Sequence, residues 1–450
     1  METLLDGCYL LALSRRITRS FGVSAVVLAT LYVACADPPK KGRPNAGAGT
    51  GGAIVGEAGA SDNGGTDATS GTGGTGGTAG SSGSKVIAEA GMGGEMAEAV
   101  GGEGGMGAEG GAAGAAPVDV CTTLTIGASG LPAPATTDVA KPAGSVGGLK
   151  VLNWAGFKGA ISYTFDDNLQ SQITHYSKLH AVGVPMTFYI VGSTNSANPV
   201  WVQAAKDGHE IGNHTMHHCY NRVASPNCSW GTYAGADKEI DQCTTVLKSA
   251  LGLTGVYTMA GPFGDPNWSA PASERFIINR GISDDPNGVA PNGNTSPFDI
   301  PCHLSSLDET AAGSPGFNTI TDSVRTKGSW RTILVHNVDP TIMDYGYNPV
   351  KLDEIVAAMT YTKSVGDVWA DTMVHVGAYW LAQKGFNLQP ATVGTSKVYS
   401  WTLPAHFPPG QHLRITVTGG KVQQCGTELA WDSHGYYEIN LDAGSVTVSP

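Results

Sequence analysis

Positive charge is scarce in this sequence: 26 Lys and Arg stand against 38 Asp and Glu, a formal net charge of -12 over 450 residues. Nothing reads as a basic stripe, which excludes nucleic acid as a partner, because a binder of phosphate backbones needs a clustered basic face. Long apolar runs are missing as well. The run from Phe21 to Val33 is too short to span a bilayer as a helix. Before residue 117 large apolar residues are thin, and Gly and Ala take their place. Such composition cannot bury enough surface to offset chain entropy, so disorder is expected there. About 330 residues follow, enough to bury a substantial core.

What is present begins with a targeting segment over residues 1–35. Arg15, Arg16 and Arg19 precede the apolar run, which ends at Ala34-Cys35. A small residue before Cys35 resembles a bacterial lipoprotein processing site, which would make Cys35 the lipidated first mature residue. Plain secretion is the alternative; either way the protein is exported, and only a lipid anchor would join it to a membrane. Residues 36–117 read as a disordered Gly/Ala/Ser/Thr-rich tether, and a Gly-rich coil of about 75 residues reaches roughly 50 Å. Apart from Cys8 and Cys35, six cysteines remain: Cys121, Cys219, Cys228, Cys243, Cys302 and Cys425. In an oxidising compartment that even number allows up to three disulfides, with the connectivity open. Cys219 adjoins a His cluster, but its spacing matches no common zinc module, so a disulfide is expected in preference to a thiolate ligand.

After the tether, strands and helices alternate. Gly159 to Phe165 reads as a buried strand, Gln170 to His180 as a helix and Val184 to Val191 as the next strand. A helix follows over Asn198 to Asp207, with Asn198 as N-cap and Pro199 at its first position. Gly208 to Asn213 is a short strand, Ala236 to Ala250 a helix and Gly255 to Met259 a strand. Arg331 to His336 and Val368 to Ala370 are further strands, alternating with helices over Lys351 to Thr360 and Thr372 to Lys384. The pattern favours a parallel barrel or sheet, with sites at the C-terminal strand ends. From about Leu388 the chain changes to short strands separated by turn residues, among them His412 to Thr418, Tyr436 to Leu441 and Ser445 to Ser449. This predicts a small antiparallel β module. Trp401, Trp431, Tyr436 and Tyr437 are read as its core in preference to a sugar-stacking face.

The chemistry concentrates at two places. Asp166 and Asp167 close a largely apolar strand, where adjacent carboxylates are costly without a cation. His214 and His218 lie four apart, a spacing that on a helical turn puts both imidazoles on one face to bind one ion. Such an ion would lower the pKa of a bound water from about 15.7 toward about 7, and a neighbouring carboxylate would take its proton. The competing reading is an ordinary surface turn at Asp166-Asp167-Asn168, since Asn tolerates a left-handed backbone.

Thr164 to Asp167, Gly183 to Tyr189, Gly208 to His218 and Leu334-Val335-His336 together resemble the polysaccharide deacetylases with a NodB-homology domain, carbohydrate esterase family four. The resemblance spans about residues 150 to 387. It implies a deformed (β/α) barrel and metal-dependent removal of acetyl groups from a glycan. It further implies Asp166 as catalytic base, Asp167, His214 and His218 as metal ligands, and His336 as general acid. Thr215 would brace the metal loop, Leu334 would wall the acetyl pocket, and the Phe263 amide would help form the oxyanion hole. His217 has no family role and is read as a partly exposed neighbour.

Two departures stand out. Ala260 occupies a position where many members carry an Arg that tethers the base, and no spacing argument selects Arg280 or Arg331 as its substitute. The family's aspartate–tryptophan motif is not evident either: Ser283-Asp284-Asp285 lacks a nearby Trp, and Asp299 sits in a Pro-rich loop. Trp201, Trp230 and Tyr233 are candidates for the groove, with core packing the safer reading for Trp201.

The expectation is therefore a monomeric, exported deacetylase domain at 118–387 with a β accessory module at 388–450. One divalent metal is expected, zinc by default for an Asp-His-His set, with cobalt or nickel as alternatives. The glycan is expected to contain N-acetylglucosamine. An O-acetyl xylan esterase is the second reading, and a non-catalytic glycan-binding surface protein is the reading from another class.

Overall fold

The computed structural model describes residues 120–124, 126, 127, 129–222, 227–310, 316–342 and 347–450. The targeting segment, Cys35 and the Gly-rich tether lie outside the described residues. The first strand, β1 (Leu149–Val151), precedes the alternation. Next come β2 (Gly159–Asp166), α1 (Gln170–His180), β3 (Met186–Ile190), α2 (Pro199–Lys206) and β4 (Glu210–Asn213). α3 (Ala236–Leu251), β5 (Thr258–Ala260), α4 (Ser269–Ser273), β6 (Ile278–Arg280) and β7 (Cys302–Leu304) continue it. α5 (Gly316–Lys327), β8 (Trp330–Val335), α6 (Leu352–Ser364), β9 (Val368–Ala370) and α7 (Met373–Gly385) complete it.

All residues of β2, β3 and β8 are buried, as parallel strands covered on both faces require. Hydrogen-bonded order runs β6-β5-β4-β3-β2-β8-β7, with β9 beside the start of β2. Backbone bonds from Gly281 to Ile300, from Ile300 to Asn279 and from Cys302 to Ser283 bring β6 against β7 and nearly close the ring. The result is a deformed (β/α) barrel whose C-terminal strand ends converge. Asn198 caps α2 by accepting from the Val200 amide, with Pro199 at the first turn, and Gly252 ends α3 in a left-handed conformation.

The tail forms β10 (Ala391–Val393), β11 (Ser396–Ser400), β12 (His412–Val417), β13 (Lys421–Gln424), β14 (Thr427–Glu428), β15 (Tyr437–Asn440) and β16 (Ser445–Ser449). These make two antiparallel sheets, β1-β12-β15 and β10-β11-β16-β13-β14. β1, which comes before the barrel in sequence, is thus part of the tail's sheet. Arg414 fastens the same junction: it pairs with Glu438 and donates to the carbonyls of Leu131, Pro132 and Ala155. One core cluster packs α1, α2, α3, α5 and α6 on the barrel, and another joins α7 to the tail sheets. Tyr436 and Tyr437 are buried, and the Trp401 and Trp431 indoles donate to Leu441 and Val139 carbonyls, so these aromatics serve packing.

Of the up to three disulfides that six cysteines allow, the described residues form two, Cys121–Cys425 and Cys219–Cys228. Cys243 and Cys302 are buried free thiols, each committed to a different backbone acceptor, Ile190 and Gly281. One expectation needs correction: the segment from His214 to His218 is not helical. It is a tight turn after β4 with positive φ at Thr215 (65°) and His218 (51°).

Candidate functional site

The chain leaves β2 through two successive left-handed residues, Asp167 (φ 73°) and Asn168 (φ 42°). Such strain in non-glycine residues persists only when neighbours hold it. Asn168 supplies the hold: its Oδ1 accepts from the Val191 amide at 2.9 Å, hooking the turn to the end of β3. Asp166 and Asp167 are 3% and 6% exposed, so the pair is a buried turn and not a surface one.

The second ligand segment is fastened on both sides. Asn213 Oδ1 accepts from the Thr215 amide (2.8 Å) while its amide group donates to Ile240 O and Thr244 Oγ1 on α3. Thr215 Oγ1 accepts from the His218 amide at 3.0 Å. Glu239, fully buried in the first turn of α3, accepts from the His217 amide and ring Nδ1 and from the Ala234 amide. His217 is thereby a partly exposed anchor of the loop.

These turns bring Asp167, His214 and His218 together, with one donor atom of each within 4.8 Å of the others. His214 Nε2 is 3.4 Å and His218 Nε2 3.3 Å from Asp167 Oδ1. His214 Nδ1 donates to the Ala260 carbonyl (2.7 Å), which leaves the Nε2 lone pair facing the cluster. His218 Nδ1 meets Ser229 Oγ at 2.9 Å. Asp166 Oδ1 and Asp167 Oδ1 are buried without a hydrogen-bond partner in the protein, as expected of oxygens placed to meet a cation and a water.

Asp166 Oδ2 is ion-paired with Arg280, itself 1% exposed, and lies 3.7 Å from His214 Nε2. Arg280, the last residue of β6, thus gives Asp166 a cationic partner that Ala260 does not supply. Arg331 instead pairs with Asp284, which also meets His303. His336, following β8, places Nε2 3.9 Å from Asp167 Oδ2.

Burial and charge set the electrostatics. Burial works to raise the Asp167 carboxyl, but the neighbouring imidazoles, His214 first, outweigh it and hold it well below the usual carboxylate range. Burial likewise pushes down the pKa of His218, to about 4, and that of His336. For His214 the charges of Asp166 and Asp167 overcome burial and raise it.

The cluster forms the floor of a cavity of about 570 Å³ walled by Trp230, Phe263, Ile282, Leu304, Leu334 and Tyr347. Phe263 (φ 58°) stacks on Tyr220 at 4.0 Å and meets the His218 ring edge-on at 4.5 Å. Trp201 is buried in the core, and Tyr233 bonds Asn221 away from the cavity wall. Sequence reasoning missed Ser229, Asn213, Glu239 and Tyr347. Of these, only Asn213, within the Gly208–His218 motif, stood in a segment already singled out.

The carboxylates and imidazoles thus gather at the C-terminal strand ends of a parallel barrel, where such folds place their functional sites. Residues 156–275 match the polysaccharide deacetylase family model. Among crystal structures, the chain is similar to a Mycobacterium smegmatis protein described as a polysaccharide deacetylase: 18% identity, 55% of this chain and 98% of that one, TM-score 0.36. It is also similar to peptidoglycan deacetylase PdaC from Bacillus subtilis: 19% identity, 48% of this chain and 89% of that one, TM-score 0.28. A family 4 carbohydrate esterase from Streptomyces lividans gives 17% identity, 49% and 95% coverage, and TM-score 0.32. No curated protein matches the chain.

Proposed function

We propose that the protein is a metal-dependent hydrolase that removes acetyl groups from a glycan, most simply the N-acetyl of glucosamine units. The observation that carries this reading is the Asp167–His214–His218 donor set beside the Asp166–Arg280 pair, on the floor of one cavity within the family-matched barrel. Asp167, His214 and His218 fit a divalent cation of zinc type, since two neutral imidazoles and one carboxylate are a usual hydrolytic donor set. When bound, the cation supplies Lewis acidity toward the acetyl carbonyl and the attacking water.

This chain's own residues divide the remaining work. Arg280 occupies Asp166 Oδ2, which leaves Oδ1 to take the proton of the attacking water. The Phe263 amide is assigned to the developing oxyanion. Leu334, on the cavity wall, receives the acetyl methyl. His336 Nε2, 3.9 Å from Asp167 Oδ2, is assigned to deliver a proton to the leaving nitrogen. Arg280 beside Asp166 argues against a non-catalytic binding protein, because the base keeps its cationic partner.

Export, with lipidation at Cys35, a tether over 36–117, a catalytic domain at 118–387 and an accessory module at 388–450, completes the reading for a monomer. No helix among the described residues is long and apolar enough to cross a membrane. Acetate release tests the function. With zinc added, the protein should release acetate from chitooligosaccharide, and an Asp166→Asn variant should not. Release from acetylated xylan alone would redirect the assignment to an ester substrate. Glycan binding with no release from either would overturn the enzyme reading.

A further inference from the structure

His218 sits on one arm of a short hairpin whose other arm returns beside it. The Cys219–Cys228 disulfide joins the arms one residue beyond the ligand. Backbone bonds run from Ser229 N to His218 O (3.1 Å), from Trp230 N to His217 O (3.2 Å) and from Tyr220 N to Asn227 O (3.0 Å). The returning arm passes so close over His217 that a Cβ at Gly231 would lie 2.3 Å from its ring. Ser229, directly after Cys228, thereby meets His218 Nδ1 at 2.9 Å, and Trp230 packs on the same ring at 5.3 Å.

The chemistry gives this contact a purpose. With Nε2 turned toward Asp167, the proton of a neutral His218 belongs on Nδ1, and a fixed acceptor there sets both tautomer and ring orientation. His214 obtains its acceptor from the Ala260 carbonyl, within the barrel wall. His218 stands outside that wall, at a residue with positive φ, and its acceptor is a side chain on a loop. Without the cross-link, that acceptor is held by weak two-stranded pairing and by contacts of its neighbour Trp230, whose carbonyl accepts from Ser193 Oγ (3.0 Å).

We propose that Ser229 is a positioning residue for His218 and that the Cys219–Cys228 disulfide holds it in register, making cation affinity a property of this hairpin. This inference rests on the reading of Asp167, His214 and His218 as a cation site. The test uses the oxidised full chain stripped of metal, with zinc affinity measured by chelator competition and the ligand field read from the visible spectrum of added Co(II). Ser229→Ala should weaken zinc binding about tenfold or more, within the range for a lost outer partner of a metal-bound imidazole, and should alter the Co(II) bands. Ser229→Thr should restore both. A Cys219→Ala/Cys228→Ala protein should show a loss of the same order, and adding Ser229→Ala to it should weaken binding little further.

Thermal unfolding of each metal-free variant separates lost affinity from lost structure, and Ser229→Ala carries the test if the cysteine variant does not fold. Asp167→Ala serves as the reference. If it abolishes zinc binding while Ser229→Ala binds zinc like the wild type, the positioning role is overturned and the cation site stands. If Asp167→Ala binds zinc like the wild type, the cation site itself is overturned, and the role of Ser229 falls with it.

Discussion

At the scale of single residues, the proposed function assigns holding a cation and moving protons to different groups. His336 lies near Asp167 but outside the three-donor set. His336→Ala is therefore expected to lower kcat by about 10²–10⁴, the span of a lost general acid, while zinc content measured after dialysis stays at the wild-type level. Arg280 poses a different question, because its partner is buried. Arg280→Met would leave Asp166 with an uncompensated charge, and a loss of about 3–5 kcal/mol in unfolding free energy of the metal-free protein is expected from denaturant titration. A loss below about 1 kcal/mol would mean that the pair is not formed in solution. The residues proposed to hold the cation, and the proposed acid, were legible in sequence because they sit in short motifs. Arg280 was one of two open choices, since it lies 114 residues from Asp166 and only barrel closure brings them together. Ser229 carried no signal, being an ordinary serine placed by a cross-link.

At the scale of elements, strands are fixed by what they receive from neighbouring loops. His209, just before β4, accepts the Met186 amide on Nδ1 (3.0 Å) and meets His180 through Nε2 (3.0 Å). Burial, then the charge of His180, pushes its pKa from 6.5 down to about 4. A lowered folded-state pKa means the unfolded chain binds the extra proton first, so this group's stabilisation is present above pH 6.5 and is lost as pH falls toward 4. His209→Gln should flatten the dependence of Tm on pH across that window; an unchanged slope would count against a neutral, buried His209. Most barrel elements were readable from their apolar runs, and Asn198-Pro199 announced α2 by cap chemistry. β6 and β7 were not, because Ile278–Arg280 and Cys302–Leu304 are three residues each and half polar. Their pairing comes from the ring closing, which no local pattern encodes. The His pair was legible as a pair but not in its backbone: Thr215 and His218 reach their positions through left-handed turns held by Asn213 and Glu239.

At the scale of the whole molecule, the tail sheets are bound to a segment that precedes the barrel. β1 pairs with β12, and Cys121 is joined to Cys425 across 304 residues. A cross-link over so long a loop restricts the unfolded chain strongly, and Cys121→Ala/Cys425→Ala is expected to lose about 2–5 kcal/mol of stability by denaturant titration with acetate release from chitooligosaccharide retained at 25 °C. Unchanged stability would show that the unfolded chain is already compact near these ends. The same bond has a mechanical meaning. Cys425 lies in the tight turn between β13 and β14, so a pull arriving through the chain ahead of residue 121 is handed covalently to that hairpin. Tension entering there meets the tail sheets and the Arg414 clasp before it reaches the barrel strands along the chain.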